Sequence, residues 1–215
     1  MLDTPVRRLV APPLDLAAGG LVRAGVPAHA VTLAGWLVGV GACLAAGTGH
    51  WGAALLLWLT NRLLDGLDGA VARRTGATDL GGFLDIVADF SVYGGFVVAV
   101  GIERPEARVA CLVLFLTYYL SGTAFLALSS VLERRGNQVS VGGRSLIFVG
   151  GLAEGTETVI AYTVLCLMPE RAETVVWVFA VAVAITVGQR VALGVHLLRP
   201  TPVSGPARHV PQEAR

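Results

Sequence analysis

Residues 51–101 read WGAALLLWLTNRLLDGLDGAVARRTGATDLGGFLDIVADFSVYGGFVVAVG. Two apolar runs are joined by a short polar loop, and each carries its acids at the end nearest that loop. A bilayer core of about 30 Å takes roughly 20 mostly apolar residues per helix, so both runs are long enough to span it. Carboxylates at membrane depth are costly, face the bundle interior and mark function. Asp65, Asp68, Asp85 and Asp89 all fall within the segment 65–89. With about 3.6 residues per turn, Asn61, Asp65, Asp68 and Ala72 share one face of the first helix. Gly81, Asp85 and Asp89 share one face of the second by i, i+4 spacing. The short loop makes the two helices antiparallel neighbours, so both acidic faces are expected to meet near one membrane surface.

Four converging carboxylates repel one another, by roughly 4 kcal/mol per pair at about 4 Å and an effective dielectric of about 20. Protonation relieves some of this; hard cations relieve it more economically, because carboxylate oxygens suit Mg²⁺, Mn²⁺ or Ca²⁺. Two such ions about 4 Å apart are a common device of phosphoryl transfer. Gly69, Ala72, Gly81 and Gly82 remove side chains beside the acids, which lets a flat base and a diphosphate approach the backbone. Close packing of membrane helices is the competing explanation for these small residues.

The rest of the chain has the same character. Of 215 residues, 54% are hydrophobic and 14% charged, and the mean hydropathy is +0.70. Soluble domains carry about 25% charged residues, so a membrane protein is expected. The net charge of +1 gives no electrostatic basis for a nucleic-acid partner. All 16 basic residues are arginine, a compositional bias of the kind a GC-rich genome produces. Cys43, Cys111 and Cys166 lie in apolar runs without disulfide or metal spacing. Further spans are expected at about 30–47, 108–131, 145–168 and 173–198, which makes six with the two above. The fold class is therefore all-α, a polytopic membrane helical bundle of about six transmembrane helices. Residues 1–24 are expected to form an N-terminal interfacial segment, kinked or divided at Pro12-Pro13 and not a signal peptide. Residues 25–199 form the transmembrane catalytic domain, and the proline-rich tail 200–215 is expected to be disordered on the cytoplasmic side.

Arginine placement orients the bundle. With the N-terminus inside, Arg7, Arg8, Arg23, Arg73, Arg74, Arg134, Arg135, Arg144, Arg199, Arg208 and Arg215 are cytoplasmic, against Arg104, Arg108 and Arg171 outside. The acids then face the cytoplasm across an inner (plasma) membrane.

The acidic stretch resembles the signature of the CDP-alcohol phosphotransferases (CDP-alcohol phosphatidyltransferases), D-x2-D-G-x2-A-R-x8-G-x3-D-x3-D. Asp65, Asp68, Gly69, Ala72, Arg73, Gly81, Asp85 and Asp89 match in order, with seven residues instead of eight between Arg73 and Gly81. The shortened gap falls in the loop and leaves the helix faces intact. Val26-Pro27-Ala28-His29-Ala30-Val31-Thr32 is similar to the family's entry segment, where asparagine often stands at the position of His29. The resemblance implies a phospholipid-biosynthetic transferase that moves a phosphoalcohol group, most simply phosphatidyl from CDP-diacylglycerol, onto an acceptor hydroxyl and releases CMP. It implies two Mg²⁺ or Mn²⁺ ions held by Asp65, Asp68, Asp85 and Asp89, with Asp89 also the catalytic base. Gly69, Ala72, Arg73 and Gly81 would bind the donor. Membrane lipid surrounds the chain, and homodimers are common in the family.

Acceptor binding is assigned to Arg134, Arg135, Arg144, Glu154 and Glu157 as one of two readings. The arginines otherwise form an inside-positive loop at lipid headgroups. The glutamates otherwise pair with Arg190 or Asn61. His29, His50, His196 and His209 lack ligand spacing. An ion or proton transporter using the acids as a relay is the competing function, although no internal repeat of the kind common in transporters is present.

Overall fold

A stripe of small residues sets the architecture. In the segment after Pro27, Gly35, Gly39, Ala42 and Ala46 are buried, while Leu33, Leu37 and Leu44 point outward. The stripe lets neighbouring backbones approach closely, as is usual where lipid removes the hydrophobic drive between helices. A Cβ on Gly39 would lie 2.6 Å from Val92 and 2.9 Å from the Asn61 amide nitrogen.

The computed structural model describes residues 3–134 and 155–199, and every regular element among them is helical. These are α1 (Asp3–Arg23), α2 (Ala28–Gly47), α3 (Trp51–Thr75), α4 (Asp79–Glu103), α5 (Arg108–Arg134), α6 (Gly155–Leu167) and α7 (Ala172–Leu198). Short 3₁₀ turns at Pro105–Ala107 and Pro169–Arg171 lead into α5 and α7. By length and apolarity, α2, α4, α5 and α7 can each cross a membrane. α3 has 25 residues, about 37 Å at 1.5 Å per residue, but Arg62, Asp65, Asp68, Arg73 and Arg74 make its second half polar. α6 has 13 described residues. The remainder of the span expected at 145–168 lies outside the described residues, as do Arg135, Arg144, Glu154 and the tail from 200.

Of the kink or division expected at Pro12-Pro13, the division does not occur: α1 is one helical segment that contains both prolines. It docks on the polar half of α3: Ala18 packs with Ala70 and Val71, and Leu14 approaches Gly66. α2 is the wedge of the bundle, the principal neighbour of both α3 and α4. The two acid-bearing helices were expected to pack on each other. They meet through side chains, with Arg62 reaching Tyr93 and Asp89 and Trp58 against Phe96, while their closest backbone packing is on α2, whose glycines give both close access.

The core at the opposite end of α3 is aromatic. Trp58, Tyr162 and Phe96 are fully buried. Tyr162 stacks on Phe96 at 4.6 Å and lies 4.9 Å from Trp58, with Tyr93 and Phe179 against its edges. The Tyr162 hydroxyl donates to the Tyr93 carbonyl at 2.9 Å and pairs with the Tyr118 hydroxyl at 3.1 Å. The polar tips of buried tyrosines are satisfied in this way.

Candidate active site

The polar half of α3 and the first half of α4 place their aspartates by helical spacing alone. α4 starts at its N-cap Thr78, whose hydroxyl oxygen accepts from the Gly81 N–H at 3.1 Å. The reversal before it uses Gly76 at φ 100°, a conformation that favours glycine. This compact connection fixes the register at which Asp85 and Asp89 face α3.

All four aspartates line one pocket, together with Thr32, Gly35, Trp36, Asn61 and Ala88. One oxygen each from Asp65, Asp68 and Asp85 lies within 4.8 Å of the others. Asp68 is buried; Asp65 and Asp85 are half-buried. Three carboxylate oxygens at this separation are a donor set for a hard divalent cation, so the residues present fit such an ion.

Asp89 lines the same pocket and is held by Arg62. Its Oδ1 accepts from Arg62 Nη2 at 2.9 Å, and Arg62 Nη1 lies 3.7 Å from Asp65 Oδ2. The Arg62 side chain is only 10% exposed. Its Nε and Nη2 donate to Asn61 Oδ1 at 2.8 and 2.6 Å, and its Nη1 donates to the Tyr93 hydroxyl at 2.6 Å. The guanidinium carbon sits 4.9 and 4.8 Å from the ring centroids of Trp58 and Tyr93.

The residues expected to bind the donor lie around the α3–α4 connection, outside the lining of the carboxylate pocket. Gly69 and Ala72 are half-buried on α3, and Gly81 is in the first turn of α4. Arg73 is 60% exposed, with Nη2 4.0 Å from Asp15 Oδ1 on α1. Of the acceptor candidates, Arg134 is exposed at the end of α5 and Glu157 is half-buried in the first turn of α6. Arg190 donates to the Ser121 hydroxyl and carbonyl at 2.7 and 3.2 Å.

Sequence reasoning did not single out Arg62, Gly35 or Trp36 as site residues, and it named Thr32 only as the last residue of the entry segment. Arg62 carried one readable signal: a cation at membrane depth, one helical turn before Asp65. The α2 residues carried none, because small and aromatic residues there read equally as packing.

A helical membrane bundle with a carboxylate-lined, cation-compatible pocket defines a class of metal-assisted membrane enzymes. A family model described as CDP-alcohol phosphatidyltransferase matches residues 26–195, and the chain belongs to this family. It is thereby a transferase of substituted phosphate groups and an integral membrane protein. It is 38% identical over 176 residues to the inner membrane protein YnjF of Escherichia coli K12, covering 79% of this chain and 83% of that one. It is 33% identical over 196 residues to a phosphatidylinositol phosphate synthase of Mycobacteroides abscessus, covering 86% of this chain and 83% of that one. Among solved structures, the Mycobacterium tuberculosis phosphatidylinositol phosphate synthase with CDP-DAG bound superposes with a TM-score of 0.66 at 26% identity, over 85% of this chain and 93% of that one. The same enzyme in complex with manganese and citrate gives 0.67 at 26% identity, over 84% and 88%.

Proposed function

We propose that this protein transfers a phosphatidyl group from CDP-diacylglycerol to the hydroxyl of a polar acceptor and releases CMP. One observation carries the reading: all four aspartates of the signature line a single pocket, three of them with oxygens within 4.8 Å of one another. The similarity to an enzyme whose structure holds CDP-DAG, and manganese in another crystal, supports the donor and the ion. The catalytic unit is residues 25–199, with 1–24 as the interfacial segment. The excess of arginine at the polar end of α3 supports a site open to the cytoplasm.

Asp65, Asp68 and Asp85 would hold the divalent ions, with Asp89 completing the set. Bound ions would offset the charge of the carboxylates and of the donor diphosphate and polarise its phosphoryl oxygens. Asp89 accepts the proton of the acceptor hydroxyl. The acceptor oxygen bonds to the β-phosphorus as the bond to the CMP oxygen breaks, with CMP leaving on the opposite side. Arg73 meets a donor phosphate, and Gly69, Ala72 and Gly81 leave room for the cytidine. Arg134 and Glu157 line the approach of the acceptor.

Purified protein, supplied with CDP-diacylglycerol, Mn²⁺ and a panel of hydroxyl acceptors, should release CMP and yield a phosphatidyl product by mass spectrometry. Asp68→Ala and Asp85→Ala should remain membrane-inserted and lose at least about 100-fold in CMP release, as when charge stabilisation of a transition state is removed. Full activity in either variant would falsify the assignment.

A further inference from the structure

Arg62 belongs to neither the aspartate signature nor the pocket lining, yet it bonds to lining residues from a pose held on several sides. Two of its nitrogens share Asn61 Oδ1, a third donates to the Tyr93 hydroxyl, and its guanidinium carbon lies 4.9 and 4.8 Å from the Trp58 and Tyr93 ring centroids. Its orientation is therefore fixed by groups other than the carboxylates. What it then offers them is directional: a 2.9 Å bond to Asp89 Oδ1 and a looser 3.7 Å approach to Asp65. Asp89 is thereby oriented beside Asp65, Asp68 and Asp85, whose oxygens lie within 4.8 Å of one another.

We infer that Arg62 is the positioning residue of this site, fixing the orientation of Asp89, the aspartate that takes the acceptor proton. The inference rests on the phosphatidyl-transfer reading above. One Oδ1 lone pair of Asp89 is committed to Arg62, which leaves Oδ2 for the acceptor hydroxyl and further lone pairs for an ion, while the guanidinium fork reaches Asn61, Tyr93 and Asp89 at once. Lysine carries the same charge but no fork. Arg62 also places a positive charge beside the ion site, so it weakens cation binding while it aligns the base.

Two readouts separate this from a structural role. Arg62→Lys should lower kcat by about 10- to 100-fold, the cost of a reacting group displaced by about 1 Å, with donor KM changed by less than about threefold. Mn²⁺ affinity of the purified variant, measured by calorimetry or spin resonance without substrate, should be unchanged. Arg62→Met should bind Mn²⁺ at least as tightly as the parent protein while losing more kcat than Arg62→Lys. A merely structural role would instead depress Mn²⁺ affinity and kcat together, and that outcome overturns the inference. So does Arg62→Lys with parental kcat, which decides the matter should Arg62→Met fail to fold. Absence of CMP release by the parent protein with every donor would instead sink the phosphatidyl-transfer reading itself.

Discussion

The Asn61 side-chain amide donates a 2.8 Å hydrogen bond to the Gly35 carbonyl, tying α3 to α2 in the wall of the carboxylate pocket. The oxygen of the same amide is the acceptor shared by two Arg62 nitrogens. One buried side chain therefore fixes the helix–helix spacing and the pose of the pocket's cation. Asn61→Ala removes both functions. It should destabilise the protein by about 1–3 kcal/mol, as expected when buried polar partners are left unmatched, measured by thermal unfolding in detergent.

Gly39 is the tightest point of the α2 wedge. Because a Cβ there would come within 2.6 Å of Val92 and 2.9 Å of Asn61, Gly39→Val should cost about 1–3 kcal/mol by overpacking and reduce turnover by displacing Asn61. Gly188 on α7 has open space around it. Gly188→Ala should leave stability unchanged or raise it by up to about 1 kcal/mol. Equal effects of the two substitutions would contradict the wedge.

Mn²⁺ should raise the unfolding temperature of the parent protein, since an ion at about 100 times its Kd adds about 2.7 kcal/mol. Asp68→Asn should lose that response. Without added metal, the same variant should be at least as stable as the parent, because one of four mutually repelling carboxylates becomes neutral. A lower metal-free stability would show that the buried Asp68 carboxylate is held chiefly by other partners.

Arg73 and Asp15 form a long, exposed pair at 4.0 Å, and such pairs contribute about 0–1 kcal/mol. Asp15→Asn should therefore shift stability by less than about 1 kcal/mol. Arg73→Ala should also leave folding intact but raise the donor KM by about tenfold, the loss of one charge-assisted contact to phosphate. An unchanged KM would remove Arg73 from the donor site.

How far the site could be read from the sequence varies residue by residue. Asp65 and Asp68, and Asp85 and Asp89, were legible because i, i+3 and i, i+4 spacing fixes a common helix face wherever the helix lies. The short Gly76–Thr78 connection suggested side-by-side packing of α3 and α4. The wedge position of α2 was not legible, because it depends on whether Gly35 and Gly39 meet backbone or lipid, and small residues suit both. Arg62 stayed hidden for a related reason: its meaning comes from Tyr93 and Asp89, 31 and 27 residues away on another helix. The proline pair in α1 left a kink or a division open, and the helix continues through it, its C-terminal half secured by Leu14 and Ala18 against α3.

The layer of Trp58, Tyr93, Phe96 and Tyr162 also gives the site a stiff back wall. It packs against Arg62, whose guanidinium carbon lies 4.9 and 4.8 Å from the Trp58 and Tyr93 ring centroids. The charged cluster therefore rests on interlocked rings, with the Tyr162 hydroxyl tied to Tyr118 and to the Tyr93 backbone, so the cation that faces Asp89 has rigid material behind it.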